Sequence, residues 1–305
     1  MQCPKKCGVN RTQKQKGFCQ ETDDLKIAFA GLHFGEEPLV TVFGGSGTIF
    51  ITGCTLRCAF CQNYQISQNG YGSNVDSKEF TKMCLDLQNA GAENINIVTG
   101  SHHIPKLAEF IRAAKDAGVT IPFCWNSSAY ETVESLELLK GLVTIWLPDL
   151  KTLSSSLSKD LFLAPDYPQV AANAIKWMIQ NNPLKIKTVE SPKNAKSIEW
   201  AQDGEPREKM EQGVIIRHLF LPGKFQETAD VLQWLKENAD TKSCISLMNQ
   251  YTPVSFDEEK TKLERRQKAL KAIENRLVSQ EEDLDIQDLI EAYDFEYLFY
   301  QELSD

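Results

Sequence analysis

Short apolar runs alternate with longer amphipathic segments along most of this chain after residue 45. A strand, a helix and a second strand in succession form a right-handed crossover, which places the two strands parallel in one sheet. The predicted strands are 48–52, 94–98, 120–124, 142–147, 214–219 and 244–247, and the predicted helices are 77–90, 105–117, 131–140, 168–180 and 226–237. The sequence therefore predicts an α/β fold built on a parallel sheet.

The ends of the predicted strands indicate where a functional site should lie. Periodicity does not decide whether the sheet closes into a barrel or stays open. In both architectures ligands bind where the carboxyl ends of the parallel strands meet. The residues directly after each apolar run are therefore the candidate site residues.

Two stretches fall outside the alternation. Residues 185–212 are polar and predict an exposed insertion, and residues 257–282 are charged and predict a surface helix with one apolar stripe at Leu263, Leu270 and Leu277. The predicted organisation is a Cys-rich arm (1–45), a central α/β domain (46–255) and a C-terminal helical extension (256–305).

Three cysteines follow the first predicted strand on one short loop. Cys54, Cys58 and Cys61 have the spacing C-x-x-x-C-x-x-C, with Gly53 directly before them. Three thiolates can bind three corners of a cubane cluster and leave one iron without a protein ligand. A structural zinc site normally requires four ligands, so zinc or unligated cysteines are the alternatives to a cluster.

This loop resembles the signature of the radical S-adenosylmethionine (SAM) superfamily, which has the same spacing and an aromatic residue, here Phe60, before the last cysteine. The resemblance implies a partial (β/α)6-type barrel with a 4Fe–4S cluster whose free iron binds SAM. It also implies reductive cleavage of SAM to a 5′-deoxyadenosyl radical that abstracts a hydrogen atom from substrate. A non-enzymatic iron–sulfur or zinc protein is the alternative.

Residues after the other strands complete the predicted SAM pocket. Asp149 and Lys151 resemble an Asp-x-Lys element of the enzymes that activate glycyl radical enzymes, with an exposed salt-linked turn as the alternative. Arg217 lies on a late strand as a partner for the SAM carboxylate, with a structural ion pair to a protein carboxylate as the alternative. His102 and His103 are candidate catalytic residues, with ordinary loop positions as the alternative. The full set of expected SAM-pocket residues is Phe60, Asn63, Thr99, Gly100, Ser101, Asn126, Ser128, Asp149, Lys151 and Arg217.

Several further blocks resemble one group, the pyruvate formate-lyase-activating-enzyme-like proteins (PflX group). These blocks are 3–11, 17–19, 32–38, 45–50, 164–167, 217–219 and 249–253, and the likeness fails mainly at 185–212. The resemblance implies an oxidoreductase that activates a glycyl radical enzyme, a protein substrate. Modification of a small molecule, a peptide or RNA is the alternative function. Either reaction implies a reducing partner of the flavodoxin or ferredoxin type.

The six other cysteines divide into two groups. Cys3, Cys7 and Cys19 are candidate ligands of a second metal, zinc or another iron–sulfur cluster, with His33 as a possible fourth ligand and free thiols as the alternative. The other three, Cys84, Cys124 and Cys244, each sit in an apolar segment and are predicted to be buried hydrophobic residues.

Charge and hydropathy restrict the environment and the partners. The net charge of −9 argues against a large nucleic-acid interface, although residues 1–17 carry five cations without an acid and predict a solvated flexible arm. The sequence has no apolar run long enough to span a membrane and no apolar leader at its start, which predicts a cytoplasmic protein without a membrane segment.

Overall fold

Seven parallel strands form the centre of a ten-stranded sheet in the computed structural model, which describes residues 3–190, 205–255 and 260–301. The strands are β1 (Lys26–His33), β2 (Ser46–Ile51), β3 (Ser73–Asn74), β4 (Ile95–Val98), β5 (Phe123–Ser127), β6 (Ile145–Pro148), β7 (Lys185–Val189), β8 (Arg207–Leu219), β9 (Cys244–Met248) and β10 (Leu298–Gln301). The helices are α1 (Tyr64–Ser67), α2 (Ser77–Asn89), α3 (Ile104–Asp116), α4 (Val133–Leu136), α5 (Ser155–Phe162), α6 (Tyr167–Asn181), α7 (Phe225–Asn238), α8 (Lys260–Leu270) and α9 (Gln280–Tyr293).

The sheet is curved but not closed. Its strand order is β10-β9-β8-β6-β5-β4-β2-β1-β3, with β7 paired to β8. Strands β2, β4, β5, β6, β8, β9 and β10 are parallel, while β1, β3 and β7 are antiparallel to their neighbours. Within the described ranges β10 and β3 are the two free edges, so the predicted α/β partial barrel is confirmed.

Local sequence signals fix several helix ends. Asp76 caps α2 by accepting hydrogen bonds from the first-turn amides, while Glu79 reaches back to the Asp76 N–H in a capping box. Pro105 lies in the first turn of α3, where a missing N–H costs nothing. Gly91 and Gly118 follow α2 and α3 with φ of +94° and +108°. These signals explain why both helices were predicted to within one or two residues.

The core has two layers, one on each face of the sheet. The outer layer, between strands and helices, includes the buried Ile49, Ile97, Trp125 and Trp146. The inner layer comprises Leu39, Val40, Cys124, Ile145, Leu147, Met210, Ile215 and Cys244. Leu39 and Val40 come from the loop before β2 and fill the lower part of the inner face. The carboxyl ends of the strands are left to line a cavity. Cys84, Cys124 and Cys244 are fully buried, as predicted.

The structure differs from the sequence prediction in the outer regions. Residues 185–189 and 207–212, predicted as an exposed polar insertion, form β7 and the start of β8; residues 191–204 lie outside the described ranges. The predicted helix 257–282 is two helices, α8 and α9, because the chain between them turns inward to bury Ile273 and Val278. Leu277 is 64% exposed, so the apolar stripe does not extend to it.

The N-terminal segment, residues 3–25, lies folded against the sheet rather than extending as a flexible arm. Pro4 is buried, and Lys5 Nζ donates to the Leu163 carbonyl and lies 4.1 Å from the Phe18 ring centroid. Lys14 forms an ion pair with Asp24. The segment is therefore folded and not an extended arm, although Lys6, Lys14 and Lys16 are exposed to solvent as predicted. None of the helices in the described ranges has the length and apolarity of a membrane span.

Candidate functional site

The cluster loop, residues 53–63, leaves the carboxyl end of β2 and is held by neighbouring backbone. The Ala59 N–H donates to the Leu161 carbonyl at 2.9 Å, which ties the loop to α5. Phe60 is buried and its ring centroid lies 6.0 Å from those of Phe162 and Tyr251 in edge-to-face contacts. Phe60 therefore packs into the core beneath the loop. It does not line the cavity that Asn63, Asn126 and Arg217 share.

The three thiols of this loop fit an iron–sulfur cubane better than a single metal ion. Cys54, Cys58 and Cys61 are all partly buried. Cubane ligands bind separate irons, so their sulfurs need not converge on one point. Three thiols on one loop supply one ligand fewer than a closed tetrahedral zinc site requires, and they match a cubane with one open iron.

Burial makes these thiols poor acids in the absence of a metal. It raises the pKa of Cys54 to about 12 and raises that of Cys58 further, and Lys151 opposes the shift at both. Metal binding replaces the thiol proton, so it removes this penalty. The thiols are consequently suited to metal ligation and not to nucleophilic attack as free thiolates.

A polar network lies beside the cluster loop at the same sheet edge. Asp149, just after β6, accepts hydrogen bonds from Lys151 Nζ at 2.7 Å and Arg217 Nε at 3.0 Å. Arg217 Nη2 also donates to Asn126 Oδ1 at 2.5 Å. The structure thus brings together four residues that the sequence placed at or near the ends of three strands. Burial alone would raise the pKa of Asp149, but Arg217 and Lys151 hold it below its usual value.

An inner cavity of about 650 Å³ opens next to this network. Its walls come from nearly every parallel strand, from the cluster loop and from the C-terminal strand β10. The lining residues are Phe29, Leu32, His33, Gly35, Glu36, Glu37, Pro38, Thr48, Phe50, Asn63, Val98, Asn126, Arg217, Ser246, Met248, Phe299, Tyr300 and Gln301. Asn63, Asn126 and Arg217 of the predicted SAM pocket line it directly.

Two adjacent carboxylates, Glu36 and Glu37, face this cavity and were not predicted as site residues. Asn96 Nδ2 donates to Glu36 Oε1 at 2.8 Å, and Arg217 Nη1 lies 3.7 Å from Glu37 Oε1. Burial, together with the neighbouring charge of Glu37, raises the pKa of Glu36 to about 7. The sequence signal was a pair of acids in a Gly-Glu-Glu-Pro turn shortly before the first parallel strand.

The Glu36→Gln variant is expected to change the pH dependence of stability. The pKa of Glu36 in the folded protein, about 7, exceeds its usual 4.5, so the unfolded chain releases this proton first as pH rises. The free energy of unfolding therefore falls as the pH rises from about 4.5 to 7, and it stays low above that range. Glutamine should remove this loss and stabilise the protein by roughly 2 kcal/mol at pH 8, with little effect at pH 4.5.

Chemical denaturation between pH 4.5 and 8 measures this effect. The matched control is Glu109→Gln, which alters an exposed carboxylate on α3 and should leave the pH profile unchanged. Identical profiles for the wild type and Glu36→Gln would contradict the assignment of a raised pKa to Glu36.

The turn after β4 holds the SAM-pocket candidates Thr99, Gly100 and Ser101 but does not line the inner cavity. The Thr99 N–H donates to the Asn126 carbonyl at 2.9 Å, and Ser101 Oγ donates to the buried Glu131 carboxylate. Glu131 was not predicted as a site residue, because the sequence analysis assigned it to the start of a helix over 131–140, whereas α4 begins at Val133. Ser128, also after β5, does not line the cavity either.

His102 and His103 face the N-terminal segment rather than the inner cavity. His102 Nε2 lies 2.7 Å from the Thr52 carbonyl, and His103 Nε2 lies 3.0 Å from Arg11 Nη2. Burial lowers the pKa of His102 to about 4, so its ring is neutral at neutral pH. Both rings therefore lie on the side of the cluster loop that faces the N-terminal segment.

The N-terminal cysteines share a second pocket that excludes His33. Cys3, Cys7 and Cys19 line a pocket of about 440 Å³ together with His102. His33 instead lines the inner cavity. The structure therefore brings the three predicted thiols to one place but not the histidine predicted with them.

Comparison with known proteins gives one family match and one curated relative. Residues 48–184 match the family model described as the Radical SAM superfamily, a range that contains the cluster loop, Asn126, Asp149 and Lys151. An uncharacterized protein of Methanocaldococcus jannaschii is 29% identical over 259 residues, which cover 82% of this chain and 65% of the relative. The chain thus spans somewhat less than two thirds of that relative's length.

Solved structures give weaker likenesses. SuiB of Streptococcus suis bound to its precursor peptide SuiA has a TM-score of 0.49 at 12% identity and covers 81% of this chain and 46% of that chain. A radical SAM methyltransferase of Sphaerobacter thermophilus has a TM-score of 0.49 at 11% identity and covers 85% and 67%. Likenesses of this size decide nothing about the substrate of this chain.

Proposed function

We propose that this chain, whose residues 48–184 carry the signature and family match of the radical SAM superfamily, is an enzyme that reductively cleaves SAM at a 4Fe–4S cluster held by Cys54, Cys58 and Cys61. The observation that supports the proposal is that Lys151 acts on Cys54 and Cys58 and also pairs with Asp149, whose partner Arg217 lines the inner cavity. A reductant of the flavodoxin or ferredoxin type would supply the electron.

When bound, the cluster and SAM supply the chemistry: one electron cleaves a carbon–sulfur bond of SAM and yields methionine and a 5′-deoxyadenosyl radical. The residues of this chain bind, orient and shield the reactants. Arg217 is suited to a carboxylate because its Nη1 has the longest contact of its three nitrogens, 3.7 Å to Glu37. Because the pKa of Glu36 is raised to about 7, this carboxyl is partly protonated near neutral pH, which reduces the repulsion of an incoming carboxylate.

The Arg217→Lys variant is expected to weaken SAM binding. Lysine retains the charge but not the fork of donors that reaches Asp149 and Asn126, so we expect KM for SAM to rise about tenfold. Formation of 5′-deoxyadenosine as a function of SAM concentration measures the change. The control is Arg112→Lys on the exposed face of α3. An unchanged KM in Arg217→Lys would exclude Arg217 from the SAM site.

The size of the inner cavity bears on the class of substrate. A volume of about 650 Å³ is in the range typical of small-molecule sites, and Phe299, Tyr300 and Gln301 of β10 form one wall. This size favours a small molecule or a peptide side group, bound beside SAM, over a folded protein domain. Activation of a glycyl radical enzyme, favoured by the sequence blocks, is the second candidate.

The shared radical step is tested with protein reconstituted anaerobically with iron and sulfide. Addition of dithionite and SAM should produce 5′-deoxyadenosine. A protein that holds four irons per chain and never forms this product would contradict both substrate classes.

Isotope transfer separates the two substrate classes. The reconstituted protein is incubated with fractions of a deuterated cell extract, and deuterium is followed into 5′-deoxyadenosine. Label that arrives from a metabolite or peptide fraction supports the favoured class. Label that arrives only from a protein fraction, with a glycyl radical signal in that protein, would overturn it in favour of activation.

A further inference from the structure

We propose that Cys3, Cys7, Cys19 and His102 bind a zinc ion that fastens the N-terminal segment to the back of the cluster loop. All four residues line the same pocket of about 440 Å³. Three thiolates and one imidazole form a common ligand set of structural zinc sites. This site is separate from the cluster loop, and its ligands take no part in the SAM reaction proposed above.

His102 is the side chain that points to a metal rather than to three free thiols. Its Nε2 lies 2.7 Å from the Thr52 carbonyl, an acceptor only, so Nε2 carries the proton and Nδ1 carries a lone pair. Within the described ranges Nδ1 is buried without a hydrogen-bond partner, and His102 is 1% exposed. A buried imidazole nitrogen without a partner is costly unless it binds something. A histidine that donates one ring N–H to a backbone carbonyl has the arrangement typical of a metal ligand.

The thiols lie close to one another within this pocket. Cys7 Sγ accepts a hydrogen bond from the Phe18 N–H at 3.2 Å, next to Cys19. A Cβ on Gly17 would come within 3.3 Å of Cys7 Sγ, which indicates how tightly the segment folds around this sulfur. The four side chains share the pocket without converging on one point, so metal binding requires rotation of cysteine side chains.

Burial dominates the electrostatics of these thiols. It raises the pKa of Cys3 and Cys19, and Arg11 opposes the shift at both. Lys6, Arg11 and Asp23 are the charged side chains that line the pocket, and Arg11 donates to the His102 carbonyl. Binding of a metal cation replaces the thiol protons and so removes the cost of burying these thiolates.

The segment 3–25 has little regular structure to fix its conformation. Residues 3–25 contain only a three-residue 3-10 turn, at Arg11–Gln13, as regular structure. Three non-glycine residues have positive φ: Lys6 (46°), Lys14 (63°) and Gln20 (63°). Such conformations are unfavourable and persist where the surrounding structure fixes them. A metal cross-link between Cys3, Cys7 and Cys19 would do so, since metal binding contributes directly to folding of small segments.

Zinc is preferred to a second iron–sulfur cluster because of the ligand set. Iron–sulfur clusters are usually held by cysteine alone, whereas three cysteines and one histidine close a tetrahedral zinc site. A closed site has no open coordination position, so its role is to hold structure. Because His102 also bonds to Thr52, two residues before Cys54, the metal would brace the cluster loop from behind.

Metal analysis of the full-length protein tests the proposal. The purified wild type should contain about one zinc per chain, and X-ray absorption at the zinc edge should show three sulfur ligands and one nitrogen ligand. The Cys19→Ser and His102→Gln variants should hold zinc at least about tenfold more weakly in competition with a chelator. Cys84→Ser, a buried thiol on α2, is the matched control and should retain it.

Several results would overturn the proposal. These are the absence of zinc from the wild type, four sulfur ligands at the zinc, retention of wild-type zinc affinity by His102→Gln, or an iron–sulfur signal that survives when Cys54, Cys58 and Cys61 are all replaced. If a variant fails to fold, X-ray absorption of the wild type still shows which atoms bind the zinc. Zinc content is measured without SAM, so this test can fail or succeed independently of the proposed SAM cleavage.

Discussion

Replacement of Cys58 by alanine is expected to abolish formation of 5′-deoxyadenosine. Cys58 is the central thiol of the cluster loop, and its loss leaves Cys54 and Cys61, two protein ligands for a cubane that requires three. Iron bound after reconstitution should fall to less than about a quarter of the wild-type amount, because no other cysteine lies on this loop. Iron content, the visible absorption of the cluster and product formation measure the effect.

A matched control separates loss of a ligand from loss of a buried thiol. Cys84→Ala removes a fully buried cysteine from α2, outside the cluster loop, and should retain the cluster and SAM cleavage at slightly reduced stability. Product formation by Cys58→Ala at the wild-type rate would overturn the assignment of the cluster ligands.

Replacement of Gly53 by alanine is expected to disrupt the same loop through its backbone. Gly53 has φ of +87°, and a Cβ there would lie 2.5 Å from Glu21 Cγ and 2.9 Å from His102 Nε2. Both the unfavourable φ and the overlap act against folding, so we expect a loss of about 3 kcal/mol in the free energy of unfolding. Displacement of the loop should also lower cluster occupancy. Denaturation curves and iron content measure the two effects.

Gly91→Ala isolates the contribution of the backbone conformation. Gly91 follows α2 with φ of +94°, and a Cβ there meets nothing within 4 Å. Its replacement should cost about 1 kcal/mol and leave iron content unchanged. Equal losses of stability in the two variants would show that the close packing of Gly53 against the N-terminal segment has no energetic effect.

The central sheet and part of the site could be predicted from the sequence because both depend on local patterns. Ile95 and Ile97 are buried in a short apolar run of the kind that a doubly covered parallel strand requires. Asp149 and Arg217 were found because each lies at or near the carboxyl end of such a strand, and parallel pairing brings these ends to one edge. The pairing of Asp149 with Arg217 follows from that topology.

The remaining features depend on contacts between distant parts of the chain. The segment Leu298–Gln301 is too short and too mixed to be recognised as a strand until β9 provides a partner. Glu36 lies in a turn with no periodic pattern, and its raised pKa comes from its burial in the folded protein and from the charge of Glu37. The sequence suggested His33, and not His102, as a partner for the N-terminal cysteines. The fold places His33 in the inner cavity and His102 in the pocket of these cysteines.

The position of β10 sets an order for assembly during synthesis. This strand pairs with β9 and supplies Phe299, Tyr300 and Gln301 to the cavity wall, whereas the cysteine loop follows β2 near the start of the sheet. The ribosome therefore releases the cysteine loop long before the last wall of the inner cavity. A nascent chain, or a chain clipped before β10, has the complete cysteine loop but leaves the inner cavity open to solvent on the side of β10.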